Sequence, residues 1–198
     1  MTFPTLASDF YAFESQLAEH EQRELVRLRT FLETEVKPVV NDYWDRAEFP
    51  RQILPGLHDQ QVFGNLWDET KAGDFSAVYS GWTALELARV DASVATYVGV
   101  QNGLAMGSIG VAGSPEQRAE WLPKLKTGEV IGAFGLTEPL SGSDSAQGLR
   151  TTATRDGDHW VLNGAKRWIG NATWSDVTII WAKSTDDGQV KGFIVPTS

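Results

Sequence analysis

AFGLTEPLSGSD (Ala133–Asp144), with NGAKRWIGNA (Asn163–Ala172) after it, decides how this chain is read. The first stretch joins a short apolar run to a Thr-Glu-Pro turn and then to a small polar Ser-Gly-Ser loop. The second reads as a strand that opens at Asn163-Gly164 and carries a large indole at Trp168. Each signal alone is weak. Thr-Glu-Pro is usually only a turn, and Ser-Gly-Ser is more often solvated than phosphate-binding. Any one of the eight tryptophans is more often packing than a cofactor platform. Order and spacing carry the reading.

The chain changes character just upstream of this stretch, near residue 130. Before it the pattern is helical. Leu25, Leu28, Leu32 and Val36 form one apolar stripe on a helix beginning near His20, which Pro38 kinks or ends. A second helix is expected between Pro50 and Gln61, and a third from about Phe75 through Arg89. Ser114-Pro115-Glu116-Gln117 is a helix start, with Ser114 as N-cap and Gln117 closing a capping box. Trp121, Leu122 and Leu125 give that helix its apolar face, and Gly128 stops it. After residue 130 the pattern is strand-like: Val130–Leu136, Leu149–Thr154, His159–Leu162, Val177–Ala182 and Phe193–Val195, with turn signals at Asp156-Gly157-Asp158 and Asn163-Gly164. Helices followed by strands imply an α+β chain. We read residues 1–130 as a helical domain and 131–198 as an incomplete, antiparallel β-barrel or sandwich-like domain.

Ala92–Pro115 has no charged residue across 24 positions, and Gly99, Gly103 and Gly107 stand four apart. Length and small-residue spacing would suit a membrane helix. Ser93, Thr96, Gln101, Asn102 and Ser108 interrupt the run, so a helix buried on all sides is the expectation, its glycines admitting a close neighbour. The formal charge is −9 with no basic block, which argues against nucleic acid. There is no cysteine, hence no disulfide, thiolate nucleophile or cysteine metal site. The first residues, MTFPTLASDFYAFES, lack a basic segment followed by an apolar run, and a cytoplasmic location is expected.

A flavin would suit the two marked stretches. Its ring needs backbone donors along an exposed strand, a hydroxyl near the pyrimidine end and a flat apolar surface; its pyrophosphate needs close backbone N–H groups. Phe134–Thr137 can supply the first two, Trp168 the surface, and Gly142 and Ser143 the close approach.

In combination, Arg89-Val-Asp91, Gly113–Arg118, Trp121-Leu-Pro123, GLTEPLSGSD, LNGAKRWIGNA and Lys191-Gly-Phe193 resemble the acyl-CoA dehydrogenase family, and within it the glutaryl-CoA dehydrogenase and short-chain acyl-CoA oxidase branches. The resemblance implies FAD as cofactor and an acyl-CoA substrate, dehydrogenated between its α and β carbons to the trans-2-enoyl-CoA, as in fatty-acid β-oxidation. It implies an electron-transfer flavoprotein, or oxygen, as acceptor, and a homo-oligomer, often a tetramer. By position, Phe134, Leu136 and Thr137 would line the isoalloxazine, with Thr137 at its N1–O2 region. Gly142 and Ser143 would lie beside the FAD pyrophosphate, Ser143 also touching the acyl-CoA. Trp168, Ile169 and Gly170 would cover the other face of the ring, and Thr96 would border the acyl pocket.

Three departures qualify the resemblance. Gly170 stands where the family usually has Thr, a variant that resembles plant short-chain acyl-CoA oxidases. Ala95 stands where the glutaryl branch has an Arg for the second carboxylate, so a simple acyl chain fits better than a dicarboxylic one. The sequence reaches Ser198 before the family's last middle-domain strands and its C-terminal four-helix bundle, around which the catalytic glutamate lies. No catalytic residue is assigned: Glu138 reads as a turn-stabilising carboxylate, and Glu116, Glu120 and Glu129 as solvated helix charges. The chain is therefore expected to be a fragment of a longer enzyme and inactive alone; a non-catalytic flavin or acyl-CoA binding module is the alternative.

Overall fold

The structure, a computed structural model, describes residues 6–65, 67 and 74–197. The N-terminal reading therefore falls partly, at residues 1–5, outside the described residues, as does Ser198. The chain forms two compact units: Met1–Val98 with Lys126–Gly128, and Gly99–Leu125 with Glu129–Ser198. Compactness thus groups Gly99–Leu125 with the strands, although its sequence is helical.

In the first unit, α1 (Glu19–Phe31) opens on a capping-box carboxylate, Glu21, which accepts from the Ala18 N–H at 2.9 Å. Leu25, Leu28, Leu32 and Val36 are all buried, as their spacing requires. The helix does not stop before Pro38. A π-helical turn at Leu32–Val36 leads into α2 (Lys37–Asp45), with Pro38 in its first turn. Proline has no N–H to return to the preceding turn, and the wider π turn accommodates that gap. Next come a 3-10 turn at Arg51–Ile53, α3 (Leu54–His58), and α4 (Ala77–Val90), which Ser76 caps by accepting the Tyr79 N–H. Leu17, Leu25, Tyr79 and Trp82 form one core cluster. The buried Arg29 guanidinium pairs with Glu86 at 2.7 Å, and Arg89 holds the other Glu86 oxygen at 2.6 Å. Asp91 breaks the helical run, and its carboxylate accepts the Val94 N–H at the start of α5 (Ala92–Val98).

In the second unit, a π-helical segment at Gly99–Met106 runs into α6 (Gly107–Ala112), and α7 (Pro115–Thr127) follows. The uncharged segment is not buried on all sides. Val100, Gln101, Ala105, Met106 and Ile109 are buried, whereas Leu104 and Val111 are exposed, and a Cβ at Gly99 or Gly103 would meet nothing within 4 Å. Among the described residues no helix is long and apolar enough to cross a membrane. The capping box at Ser114 and Gln117 forms as read, and Gly128 ends α7 at φ 75°.

The strands are β1 (Gly132–Gly135), β2 (Thr152–Asp156), β3 (His159–Asn163), β4 (Val177–Ser184) and β5 (Val190–Pro196). β4 is the axis. One edge pairs antiparallel with β5; the other pairs parallel with β1, Gly132↔Val177 to Gly135↔Ile180, and then with the start of β2 at Thr152↔Lys183. The sheet is therefore mixed rather than wholly antiparallel. Turn residues announce hairpins such as β2–β3, closed at Gly157 with φ 59°, but parallel pairs need crossovers that leave no local signature.

Candidate flavin site

β1 is short and its sequence is nearly all small or apolar, so its backbone is unusually open. Strand geometry sends the backbone groups of alternate residues to opposite edges. Ala133 and Gly135 face β4. Gly132, Phe134 and Leu136 face the other edge, where no strand pairs with β1 among the described residues. Side chains anchor that edge at both ends. The Gly132 N–H donates to Gln101 Oε1 at 2.7 Å, Asn171 Nδ2 donates to Gly132 O at 3.1 Å, and Lys166 Nζ donates to Leu136 O at 3.0 Å. Between these anchors the Phe134 N–H, the Phe134 carbonyl and the Leu136 N–H have no partner among the described residues. The edge thus offers a donor, an acceptor and a donor in order.

The following turn is built around Glu138. Its backbone exchanges hydrogen bonds with Ser141 across Pro139-Leu140, closing the Thr-Glu-Pro turn. Its carboxylate, 4% exposed, accepts from Arg150 N at 2.7 Å, Thr151 N at 3.0 Å and Lys166 Nζ at 2.8 Å. Burial alone would raise its pKa; the Lys166 ammonium and the two N–H groups hold it at about 2. Glu138 is therefore the turn-stabilising carboxylate the sequence suggests. Beyond the turn, Gly142 and Ser143 are exposed, and a Cβ on Gly142 would meet nothing within 4 Å. The hydroxyls of Thr137 and Ser143 have no partner among the described residues.

The NGAKRWIGNA stretch is not a strand. β3 ends at Asn163, and Trp168 and Asn171 adopt left-handed backbone angles, φ 57° and 66°, which no strand can contain. A Cβ on Gly164 would lie 2.4 Å from Thr151 Oγ1, so only glycine fits where the chain leaves β3. The loop is laced to the end of β1 by Lys166 and by the Arg167 N–H, which donates to Thr137 O at 2.9 Å. Trp168 is 79% exposed, with the Arg167 guanidinium 4.4 Å over one face of its ring. A bulky aromatic that is both left-handed and exposed makes little sense as packing.

Phe134, Leu136, Thr137, Gly142, Ser143, Trp168, Ile169 and Gly170 all belong to the second unit, and bonds from Lys166 and Arg167 join Leu136 and Thr137 to the Trp168 loop. The Phe134 ring packs edge-on to Trp181 at 6.0 Å, so this residue offers its backbone rather than its ring. A Cβ on Gly170 would lie 3.2 Å from Val100 Cγ2. Thr96 lies in the first unit, its hydroxyl donating to Ala92 O at 2.8 Å on its own helix. Three anchoring residues escaped sequence reading: Gln101, which looked like a polar interruption of an apolar helix, and Lys166 and Asn171, which sit inside the motif but were overshadowed by its tryptophan.

Residues 19–129 match the family model for the acyl-CoA dehydrogenase N-terminal domain, and residues 133–198 that for the acyl-CoA dehydrogenase middle domain. The chain belongs to the acyl-CoA dehydrogenase family. It is similar to a glutaryl-CoA dehydrogenase from Mycobacterium smegmatis whose crystal structure holds FADH2: 38% identity, a TM-score of 0.85, and coverage of 93% of this chain and 47% of that one. It is 34% identical over 157 residues to the mitochondrial short/branched chain specific acyl-CoA dehydrogenase of Rattus norvegicus, 78% of this chain and 36% of the relative. It is 33% identical over 175 residues to the 3-(aryl)acrylate reductase of Clostridium sporogenes, 87% of this chain and 46% of the relative. The chain spans less than half the length of these proteins.

Proposed function

We propose that this chain carries the flavin-holding part of an FAD-dependent acyl-CoA dehydrogenase, which oxidises an acyl-CoA thioester to the trans-2-enoyl-CoA. The observation that carries the reading is the open edge at Phe134–Leu136. The pyrimidine side of an isoalloxazine presents acceptor, donor and acceptor groups, O2, N3–H and O4. That order is complementary to the donor, acceptor and donor left free on β1. The unpartnered Thr137 hydroxyl would serve the N1–O2 region beside them. Trp168 would cover the ring with its bare indole face, flanked by Ile169 and Gly170, while Gly142 and Ser143 would meet the pyrophosphate.

When bound, the flavin supplies two-electron, hydride-accepting chemistry. The residues of this chain bind and orient. Glu138 is an unsuitable proton acceptor, because it is fully bonded and held near pKa 2, far below the range useful to a general base at neutral pH. The family resemblance supports an electron-transfer flavoprotein as electron acceptor and a homo-oligomeric whole enzyme. Acyl-CoA oxidation by oxygen is the second reading, favoured by the absence of any side chain at Gly170, where Val100 leaves little room for one.

The test is FAD titration of the purified chain, followed by short acyl-CoA without oxygen. Binding is expected to quench flavin fluorescence and induce visible circular dichroism. Neither change at millimolar FAD would overturn the reading. Peroxide formed in air by the whole enzyme would favour the oxidase.

A further inference from the structure

We infer that Lys166 is a positioning residue that fixes the open edge of β1 against Trp168. The inference rests on the flavin reading of that edge. Lys166 has a side chain only 10% exposed, and its ammonium reaches two different targets: Leu136 O at 3.0 Å and Glu138 Oε1 at 2.8 Å. The first target belongs to the residue whose own N–H is one of the free donors. The second belongs to a carboxylate that also gathers the Arg150 and Thr151 N–H groups at the entry to β2. One ammonium thus ties together the end of β1, the start of β2 and the loop that carries Trp168.

Lys166 touches none of the groups assigned to the flavin; it acts through them. With Leu136 O held, the Leu136–Thr137 peptide cannot rotate, and Leu136, preceded by a Gly135 that pairs with β4, keeps its N–H on the open edge beside the Phe134 carbonyl. The next residue, Arg167, continues the tie by donating its N–H to Thr137 O at 2.9 Å, and Trp168 follows directly. A planar ligand that must meet an edge and a face together needs those two surfaces at a fixed separation. Lys166 makes this tie at the Leu136 end, next to the free donor and the Thr137 turn. Asn171 and Gln101 secure only the Gly132 end.

The experiment compares the wild-type chain with Lys166→Met, Lys166→Arg and a surface control, Lys191→Met, whose ammonium pairs with the exposed Asp187. Two readouts are taken: FAD affinity with the quenching of bound flavin, and hydrogen exchange at the Arg167 amide against β4 amides. Lys166→Met should weaken FAD binding about tenfold or more, relax the quenching, and speed exchange at Arg167 by a similar factor while β4 stays protected. Lys166→Arg keeps the charge and should recover part of both effects, and it serves if Lys166→Met does not fold. Lys191→Met should match wild type. Unchanged Arg167 exchange in a folded Lys166→Met chain would overturn the inference, as would FAD affinity within twofold of wild type. If wild type itself takes up no FAD, the flavin reading falls, and exchange at Arg167 still decides whether Lys166 makes the tie.

Discussion

Gln101 Oε1 accepts the Gly132 N–H at 2.7 Å while its amide nitrogen donates to Leu125 O at 2.8 Å and Val130 O at 2.9 Å. A fully buried side chain therefore fixes where β1 begins. Gln101→Leu keeps the approximate volume but strands three backbone groups, each costing about 1–3 kcal/mol when buried without a partner. We expect a loss of about 3 kcal/mol, allowing for relaxation, read as a lower denaturant midpoint. A loss below about 1 kcal/mol would show that the three groups find other partners.

Glu138 links this region to pH. Its folded pKa of about 2 lies below the ordinary carboxylate value, so the folded chain releases this proton more readily than the unfolded one. The corresponding stability is fully present above about pH 4.5 and is lost as pH falls towards 2. The shift amounts to roughly 3 kcal/mol. Glu138→Gln should flatten the stability profile in that acid window while lowering stability at pH 7. An unchanged acid limb would show that Glu138 is not the titrating group.

His58 gives a second, separate window. It is stacked on Phe63, accepts a hydrogen bond from the Tyr97 hydroxyl at Nε2 and donates from Nδ1 to Lys126 O, so the ring is neutral in one tautomer. Burial lowers its pKa, against the opposing pull of Lys126 O and Asp59. The unfolded chain therefore binds the extra proton first. Stability should be complete above about pH 6.5 and decline as pH falls below it. His58→Asn should remove that limb while leaving the lower Glu138 limb in place, a separation that thermal midpoints across pH 3–8 would resolve.

Gly170 and Val100 are coupled by space. A Cβ at 170 would stand 3.2 Å from Val100 Cγ2, so Gly170→Thr crowds a buried valine. Overpacking of this kind costs about 1–3 kcal/mol. The cost should shrink by 0.5 kcal/mol or more, on the order of known contact couplings, when measured in a Val100→Ala background. Additive effects in the double-mutant cycle would mean the loop simply moves away.

Much of this was legible in sequence because it is local. The Ser114 capping box, the Gly128 stop and the Leu25, Leu28, Leu32 and Val36 stripe depend on residues a few positions apart, and the structure keeps each of them. The parallel pairings of β4 were not legible, since a crossover has no turn signature. The Trp168 stretch misled for a different reason. The Asn163-Gly164 turn signal and the bulky Trp168-Ile169 pair suggest a new strand, but the backbone at Trp168 and Asn171 is left-handed, a conformation that Asn favours and Trp does not advertise. The free edge of β1 was visible only in part. Sequence located an exposed strand at Phe134–Thr137, but which backbone groups stay open depends on Gln101, Lys166 and Asn171 reaching back to it.

Trp168 separates stability from function. In an ordinary site, replacing tryptophan by glycine removes packing and costs several kcal/mol. Here the indole is 79% exposed and the backbone sits at φ 57°, where a bulky residue carries about 1 kcal/mol or more of conformational cost that glycine lacks. The unfolded chain gains freedom from the same change, which offsets part of that relief. Trp168→Gly should therefore leave the denaturant midpoint within about 0.5 kcal/mol of wild type, the range of surface substitutions. If the indole face is the flavin platform, FAD affinity should still fall by about tenfold or more, as expected for loss of an aromatic stacking contact and its buried area. Trp168→Phe should recover part of the affinity while keeping the strained angle. A Trp168→Gly chain that loses stability together with affinity would mark the indole as packing, and one that keeps its affinity would remove Trp168 from the site.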